Sequence, residues 1–264
     1  MSRLDVYLHE NGFFDSRESA KRNIMAGNVT VNGQIVDKAG TKVKDDDQID
    51  VREKDCPYVS RGGLKLKKAM DRFGIDLKDK VAMDAGASTG GFTDCMLQNG
   101  AAKVYAIDVG YGQLDWKLRS DPRVISMERT NFRYLTYEEI GEKVDFFVMD
   151  VSFISVTKLI PSMLLFLKAG ALAVVLIKPQ FEAGKDKVGK HGIVKSEEVH
   201  REVLETTLKA FVENGLKPIG LDFSPIKGAK GNIEYLVLLE NSSPEDEEWS
   251  AEIDLVVKNA QSTL

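Results

Sequence analysis

The chain has 264 residues, 43% of them hydrophobic, and its 36 Lys and Arg against 41 Asp and Glu give a formal charge of -5. That length buries a full core and points to one ordinary domain with a smaller one beside it. The negative balance argues against wholesale coating of nucleic acid while leaving room for a local basic patch. The N-terminus MSRLDVYLHENG lacks the apolar stretch of a secretion signal, and runs such as ALAVVLI fall far short of the roughly 20 residues that span a bilayer. The expectation is a cytoplasmic protein without a membrane partner. Cys56 and Cys95 lie far apart without CxxC spacing, so neither a disulfide framework nor a zinc site is indicated, and both are read as buried or inert thiols.

Residues 1–51 have a texture of their own. RLDVYLHENG predicts a short helix with Leu4 and Leu8 on one face, and DSRESAKRNIMAGNV a second, opened by Asp15 and Glu18 as a capping box. VTVNGQIV alternates apolar and polar residues around Asn32-Gly33, a two-residue hairpin signal, and QIDV closes a small sheet after the charged loop KVKDDD. On the second helix Arg17 and Lys21 share a face by i,i+4 spacing with Arg22 beside them, a cationic stripe that could equally be a solvated surface. The order of parts, with the run from Ser16 through Gly33, resembles an S4 domain, a small RNA-binding module of ribosomal proteins and RNA-modifying enzymes. The resemblance implies phosphate contacts by Arg3, Arg17, Lys21 and Arg22.

A link over 52–60, EKDCPYVSRGG at its centre, is extended around Pro57 and joins this module to a second domain over 61–264. From residue 80 the chain alternates strand and helix, with strands predicted near 80–84, 103–108, 123–127, 144–149, 171–177, 217–223 and 233–239. That is an open α/β sheet, mainly parallel. The last two strands are separated only by SPIKGAKGN and are therefore antiparallel neighbours, the order of a methyltransferase-type Rossmann-like fold. In the C-terminal stretch SPEDEEWSAEIDLVVKNAQSTL, Trp249, Ile253, Val256 and Val257 share the apolar face of a helix that packs on the sheet.

The stretch VAMDAGASTGGFTDC runs a strand into an acid and then a glycine-rich turn. A dinucleotide fingerprint requires G-x-G-x-x-G, and Gly86 is followed by Ala87 and Ser88 before Gly90 and Gly91. The missing second glycine, where backbone approaches a pyrophosphate, weakens an NAD reading. Asp84 also sits badly beside a dianion and suits a cationic ligand. S-adenosylmethionine (SAM), with its ammonium, sulfonium and free ribose hydroxyls, matches small residues at Gly86, Ser88, Gly90 and Gly91, the acid Asp84, and a second acid, Asp108, at the end of KVYAID. An acid about 20 residues on is the ribose position of Rossmann units generally, so the pair alone is shared by several cofactor classes. GKDKVGKH matches G-x-x-x-x-G-K, but His191 replaces the Ser or Thr that would ligate magnesium and the match starts beyond its strand. A mobile basic loop near the substrate is the better reading.

Asp150 ends VDFFVMD, Lys178 ends ALAVVLIK, and Glu234 opens IEYLVLLE. Two parallel strands and one antiparallel strand put all three at the ligand-binding edge of the sheet, and Lys65 in SRGGLKL reaches it from the preceding helix. Strand-end charges are often solvated caps; three converging from separate strands favour a site. At this point the whole chain resembles the TlyA family, an S4 domain fused to an FtsJ-like methyltransferase domain, through YVSRGGLKL, DAGASTGGFTD, AIDVGYGQL, DVSFIS, LIKPQFEAG and VGKHGIV. The resemblance implies SAM as cofactor, no metal, ribosomal RNA or a ribosomal subunit as partner, and the 2′-hydroxyl of a cytidine ribose as acceptor. It also assigns a catalytic Lys-Asp-Lys-Glu tetrad to Lys65, Asp150, Lys178 and Glu234. Lys178 either removes the hydroxyl proton or steers a lone pair: a free lysine titrates near 10.4, so base action requires burial and a neighbouring cation such as Lys65, which the two acids oppose. Some members carry a haemolysin label, which makes a membrane-active cytolysin one competing class, but the sequence offers only short core-like apolar runs. A non-catalytic RNA-binding module is the other, and an intact tetrad speaks against it.

Overall fold

The computed structural model describes all residues except 1, 15, 26, 45, 52–55, 229–230 and 245–247, which fall into two units, Met1–Pro57 and Tyr58–Leu264. In the first unit β1 (Ser2–Arg3) leads into α1 (Leu4–Glu10) and α2 (Arg17–Met25), followed by β2 (Val29–Val31), β3 (Gln34–Ile35), β4 (Lys42–Val43) and β5 (Ile49–Val51). Leu4 and Leu8 meet Ala20 and Ile24 across the two helices and close over Val29 and Val43, a small core built by helical spacing on one side and strand alternation on the other. Strand β2 lies between β3 and β5, both antiparallel to it. Asn32 and Gly33 both take positive φ, 51° and 78°, as a two-residue hairpin turn of this kind requires.

Two features of this unit depart from the sequence reading. The run KVKDDD, expected as a loop, contributes Lys42 and Val43 to a two-stranded pairing with Ser2 and Arg3. Pairs this short have no periodicity to detect. The capping box expected at Asp15 lies outside the described residues; the Ser16 hydroxyl accepts from the Ser19 N–H at 3.1 Å and so caps α2 itself.

The second unit runs α3 (Gly62–Phe73), β6 (Val81–Ala85), α4 (Gly91–Gln98), β7 (Lys103–Ile107), α5 (Trp116–Arg119), β8 (Val124–Met127), α6 (Tyr137–Ile140), β9 (Val144–Met149), α7 (Ile160–Phe166), β10 (Leu167–Ile177), α8 (Pro179–Glu182), α9 (Glu197–Glu213), β11 (Lys217–Phe223), β12 (Tyr235–Glu240) and α10 (Ser250–Thr263). The seven strands are ordered β11-β12-β10-β9-β6-β7-β8. Strands β6 to β10 are mutually parallel, and β12 enters between β10 and β11, antiparallel to both. Central strands such as VDFFVM and AVVLI are apolar on both faces because helices cover both. Strand β10 starts at Leu167, earlier than its apolar run, because Leu167 pairs with Val144 ahead of a register irregularity. Helix α10 buries Ile253, Val256, Val257 and Ala260 on the sheet side, with Trp249 partly buried against the same core.

Candidate active site

The sheet delivers the site by register. Asp150 directly follows β9 and is anchored there by its own N–H, which donates to the Ala85 carbonyl at 3.1 Å. Lys178 directly follows β10, where Pro179 ends the strand and starts α8. Ile177 pairs with Tyr235, so the residue before β12, Glu234, arrives at the level of the residue after β10, Lys178. Lys65 comes from α3, whose buried Leu66, Ala69 and Met70 fix the face that packs inward. Helices α3 and α4 cross closely: a Cβ on Gly91 would stand 2.8 Å from the Gly63 nitrogen, so the position tolerates only glycine.

These four side chains form one row of alternating charge. Glu234 Oε2 lies 2.7 Å from Lys65 Nζ, which lies 3.1 Å from Asp150 Oδ2; Asp150 Oδ1 in turn lies 2.5 Å from Lys178 Nζ. Lys178 also donates to the Ser152 hydroxyl at 3.1 Å. Lys65, Lys178 and Glu234 are buried. Burial alone would depress the Lys65 ammonium, but Asp150 and Glu234 together outweigh it and raise its pKa. For Asp150 burial likewise acts upward, and Lys65 and Lys178 overcome it, holding the carboxyl below its usual range. Two cations and two anions balance, which is what permits a row of charges in a site this enclosed.

The glycine turn lies beside this row. At Gly86, φ is +90° and a Cβ would stand 2.6 Å from the Asp150 carbonyl oxygen, so the turn is both left-handed and pressed against the β9 end. Ser88, Gly90 and Gly91 continue it into α4, with Gly90 at the N-cap. Asp108, one residue past β7, accepts from the Ser88 N–H at 2.8 Å and the Gly110 N–H at 2.6 Å, which ties the first and second strand ends together. Asp84 is not at the strand tip, where the sequence placed it. It lies inside β6, fully buried, and burial pushes its carboxyl up to about 7. Thr93 of α4 donates to its Oδ2 at 2.7 Å, while its Oδ1 has no partner among the described residues. An orphaned buried carboxylate oxygen below a glycine-lined turn, with a second acid at the neighbouring strand end, fits a ligand that bears an ammonium and ribose hydroxyls.

Outside this site, the first unit holds the other predicted residues. Arg3 and Arg17 both grip buried Asp5, each Nε 2.9 Å from one of its oxygens, and the hydrogen-bonded Arg3, with Arg17, holds that carboxyl at about 2. Lys21 and Arg22 are exposed on α2. The GKDKVGKH stretch forms two 3-10 turns well before α9, so it is not a strand-to-helix phosphate loop.

Sequence reasoning passed over Thr93, Ser152 and Glu182. Glu182 accepts from the Ser155 hydroxyl at 2.6 Å and the Val156 N–H at 2.9 Å, bonding the segment after Asp150 to the helix after Lys178. Beside it Phe153 is 87% exposed with φ +66°. All of these sit inside motifs already quoted, GGFTD, DVSFIS and KPQFE, where their closeness to charged residues was the available signal. Cys95 is buried and its thiol pushed up to about 12 by burial, whereas Cys56 is only partly covered. No helix among the described residues is long and apolar enough to cross a membrane.

Comparison with known proteins identifies the family of both units. Residues 58–241 match the FtsJ-like methyltransferase family and residues 2–49 the S4 domain. The chain is 48% identical to the provisionally named rRNA methyltransferase YqxC of Bacillus subtilis, over 99% of this chain and 95% of that protein. It is 41% identical to the 16S/23S rRNA (cytidine-2′-O)-methyltransferase TlyA of Mycobacterium tuberculosis, over 92% and 91%. The solved structure of a provisionally named hemolysin from Streptococcus thermophilus superposes with a TM-score of 0.80 at 46% identity, covering 99% of this chain and 96% of that one. The chain therefore belongs to the FtsJ-like methyltransferase family in its S4-fused, TlyA-type form, and is a SAM-dependent methyltransferase.

Proposed function

We propose that the protein methylates the ribose 2′-hydroxyl of a cytidine in ribosomal RNA, with Lys65, Asp150, Lys178 and Glu234 as the catalytic row. The observation that carries this reading is the unbroken sequence of contacts from Glu234 through Lys65 and Asp150 to Lys178. Lys178 is the end of the row that the acceptor meets. Its charge pairs with Asp150 and one N–H goes to Ser152, which leaves a further N–H to serve the hydroxyl oxygen. Asp150 holds Lys178 in place, and Lys65 with Glu234 holds Asp150. As the oxygen gains its methyl it loses its proton: a charged Lys178 fixes the oxygen through an N–H while water takes the proton, and Lys178 receives the proton itself only where it has first given up one of its own.

Bound SAM supplies an electrophilic methyl group on a sulfonium. Asp84, Gly86, Ser88, Gly90, Gly91 and Asp108 form its site: the open Asp84 oxygen takes the ammonium end, and the Asp108 carboxylate takes the ribose hydroxyls. Residues 1–51 bind RNA backbone through Arg3, Arg17, Lys21 and Arg22, residues 52–60 connect, and residues 61–264 perform the transfer. A cytoplasmic location beside the ribosomal subunits follows from that substrate. The test is to map 2′-O-methylation in ribosomal RNA from cells lacking the gene, complemented with the wild type or with Lys178→Ala. A cytidine methylation restored by the wild type alone supports the reading; identical maps in all three strains reject it.

A further inference from the structure

The four residues 232–235 do two jobs at once. Glu234 reaches Lys65, while its neighbours Asn232 and Tyr235 reach the basic loop over 184–194 and its support. Asn232, buried, donates from Nδ2 to the Gly192 carbonyl at 2.8 Å and accepts at Oδ1 from the Val194 N–H at 3.0 Å. The fully buried His200 of α9 contacts the Val194 carbonyl through Nε2 at 3.0 Å. A carbonyl only accepts, so Nε2 carries the proton and Nδ1 accepts from the Tyr235 hydroxyl at 2.6 Å. Both backbone polar groups of Val194 are thus satisfied by side chains from the approach to β12 and from α9, with no regular secondary structure to replace them.

The loop is therefore tied to the chain close to two members of the row. It departs from α8, which begins directly after Lys178, and it ends on Asn232, two residues before Glu234. Between those ends it carries Lys185, Lys187, Lys190 and His191, with Lys187 paired to Glu202 of α9. His191 at φ +67° and Gly189, whose Cβ would stand 2.9 Å from the Ile193 carbonyl, hold a tightly turned backbone rather than a slack one.

We propose that Asn232 and His200 are positioning residues for the transfer, fastening the 184–194 loop and the Glu234–Lys65 pair into one unit. Backbone phosphates drawn to the loop lysines then bear on the segment that orients Lys65 and, through Asp150, Lys178. This rests on the methyl-transfer reading above.

The test uses the full-length protein and ribosomal subunits carrying the acceptor, with single-turnover methyl transfer at saturating RNA, SAM calorimetry, and amide hydrogen exchange over residues 189–194. In Asn232→Ala the buried Val194 N–H and the partly buried Gly192 carbonyl lose their partner, and the saturating rate falls by about tenfold or more while exchange at Val194 accelerates and SAM affinity is unchanged. Asn232→Asp keeps an acceptor for the Val194 N–H and recovers part of the rate. A wild-type rate in Asn232→Ala, or a defect that vanishes as RNA concentration rises, overturns the proposal. If Asn232→Ala does not fold, Tyr235→Phe decides, because it removes only the hydroxyl bonded to His200: a rate reduced at saturating RNA supports the latch and an unchanged rate overturns it. Lys178→Ala in the same assay tests the underlying reading separately, since full activity there removes the tetrad whatever Asn232 does.

Discussion

Ile177 and Tyr235 face each other in the antiparallel pairing of β10 with β12, and that one match sets the chemistry of the edge. Moving β12 by a single residue would turn Tyr235 and Glu234 each to the side opposite the one it now occupies. Glu234 would then leave Lys65, and Tyr235 would leave His200.

Lys178→Ala is expected to lower single-turnover methyl transfer by a factor of about 100 or more, the range for groups that handle a proton in the transition state. SAM affinity, read by calorimetry, stays nearly constant, because the proposed mechanism gives Lys178 to the acceptor and the SAM site to other residues. Lys178→Arg separates its two roles: arginine keeps the charge and donors but does not act as a base near neutral pH. Substantial activity in that variant would show that the lysine steers the hydroxyl and need not take its proton.

Lys65→Met removes a cation held between two carboxylates, Asp150 and Glu234. The remaining acids are left near each other in a buried site, and breaking such a pair costs about 3–5 kcal/mol. Urea unfolding of the second unit should show a loss of that order. Lys65→Met combined with Glu234→Gln should recover part of the stability without recovering activity. An unaltered urea midpoint in the single variant would mean that the row is more solvated than its distances indicate.

Asp84 gives the free protein a pH signature. Its folded pKa of about 7, raised by burial, exceeds the unfolded carboxylate value near 3.9. The stabilising contribution is therefore complete below the unfolded value and is lost as pH rises through about 7. The Asp84 contribution to the stability of the SAM-free protein should fall from about pH 4 to about pH 7 and level off above that, and Asp84→Asn should remove this fall. Binding of the SAM ammonium favours the ionised acid, so binding releases a proton and tightens with pH across the same window. Calorimetry in two buffers of different ionisation heat measures the release; equal apparent enthalpies in both at pH 6 would exclude it.

Lys21 and Arg22, both exposed on α2, are removed together to test the RNA surface, and Arg17, a partner of buried Asp5, is removed separately. In the Lys21→Ala, Arg22→Ala double variant, the slope of log affinity against log salt should shrink by about 0.7–0.9 for each phosphate that the protein no longer neutralises. Arg17→Ala should in addition lower the melting temperature of the first unit, since Asp5 is buried and keeps only Arg3. An unchanged salt slope in the double variant would take α2 off the RNA-binding surface.

The central sheet was legible because its strands declare themselves: FFVM and AVVLI are continuous apolar runs that end at a charged residue, and both appear where the sequence predicts them. Convergence of Lys65, Asp150, Lys178 and Glu234 was legible through topology, since parallel strands end on one edge and an antiparallel strand begins there. Asp84 was placed one step too far out. An acid within an apolar strand looks the same whether it faces the tip or the interior; pairing with Ala106 and Val148 keeps Asp84 within β6, and the Thr93 hydrogen bond from α4 holds its carboxyl there. Ser152 meets Lys178 from a loop, and Glu182 and Asn232 bond loop backbone; no periodicity exists in such segments, so their partners are set by tertiary placement. Ser16 took the capping role because short polar side chains next to a helix start are interchangeable in pattern.

The position of β12 inside the sheet has a consequence for how the chain is made. Strands β10 and β11 are both synthesised before the strand that separates them, so each presents an open edge on the nascent chain until residues 235–240 emerge. The sheet cannot close from the N-terminus outward as a simple parallel array would; it waits for an insertion near its C-terminal end. Glu234 arrives with that insertion, so the last hydrogen-bonded strand and the last charge of the catalytic row are delivered together. A chain cut short before β12 carries exposed edges suited to aggregation, and it also lacks the carboxylate that completes the site. Premature termination here yields a misfolding hazard, not a partly active enzyme.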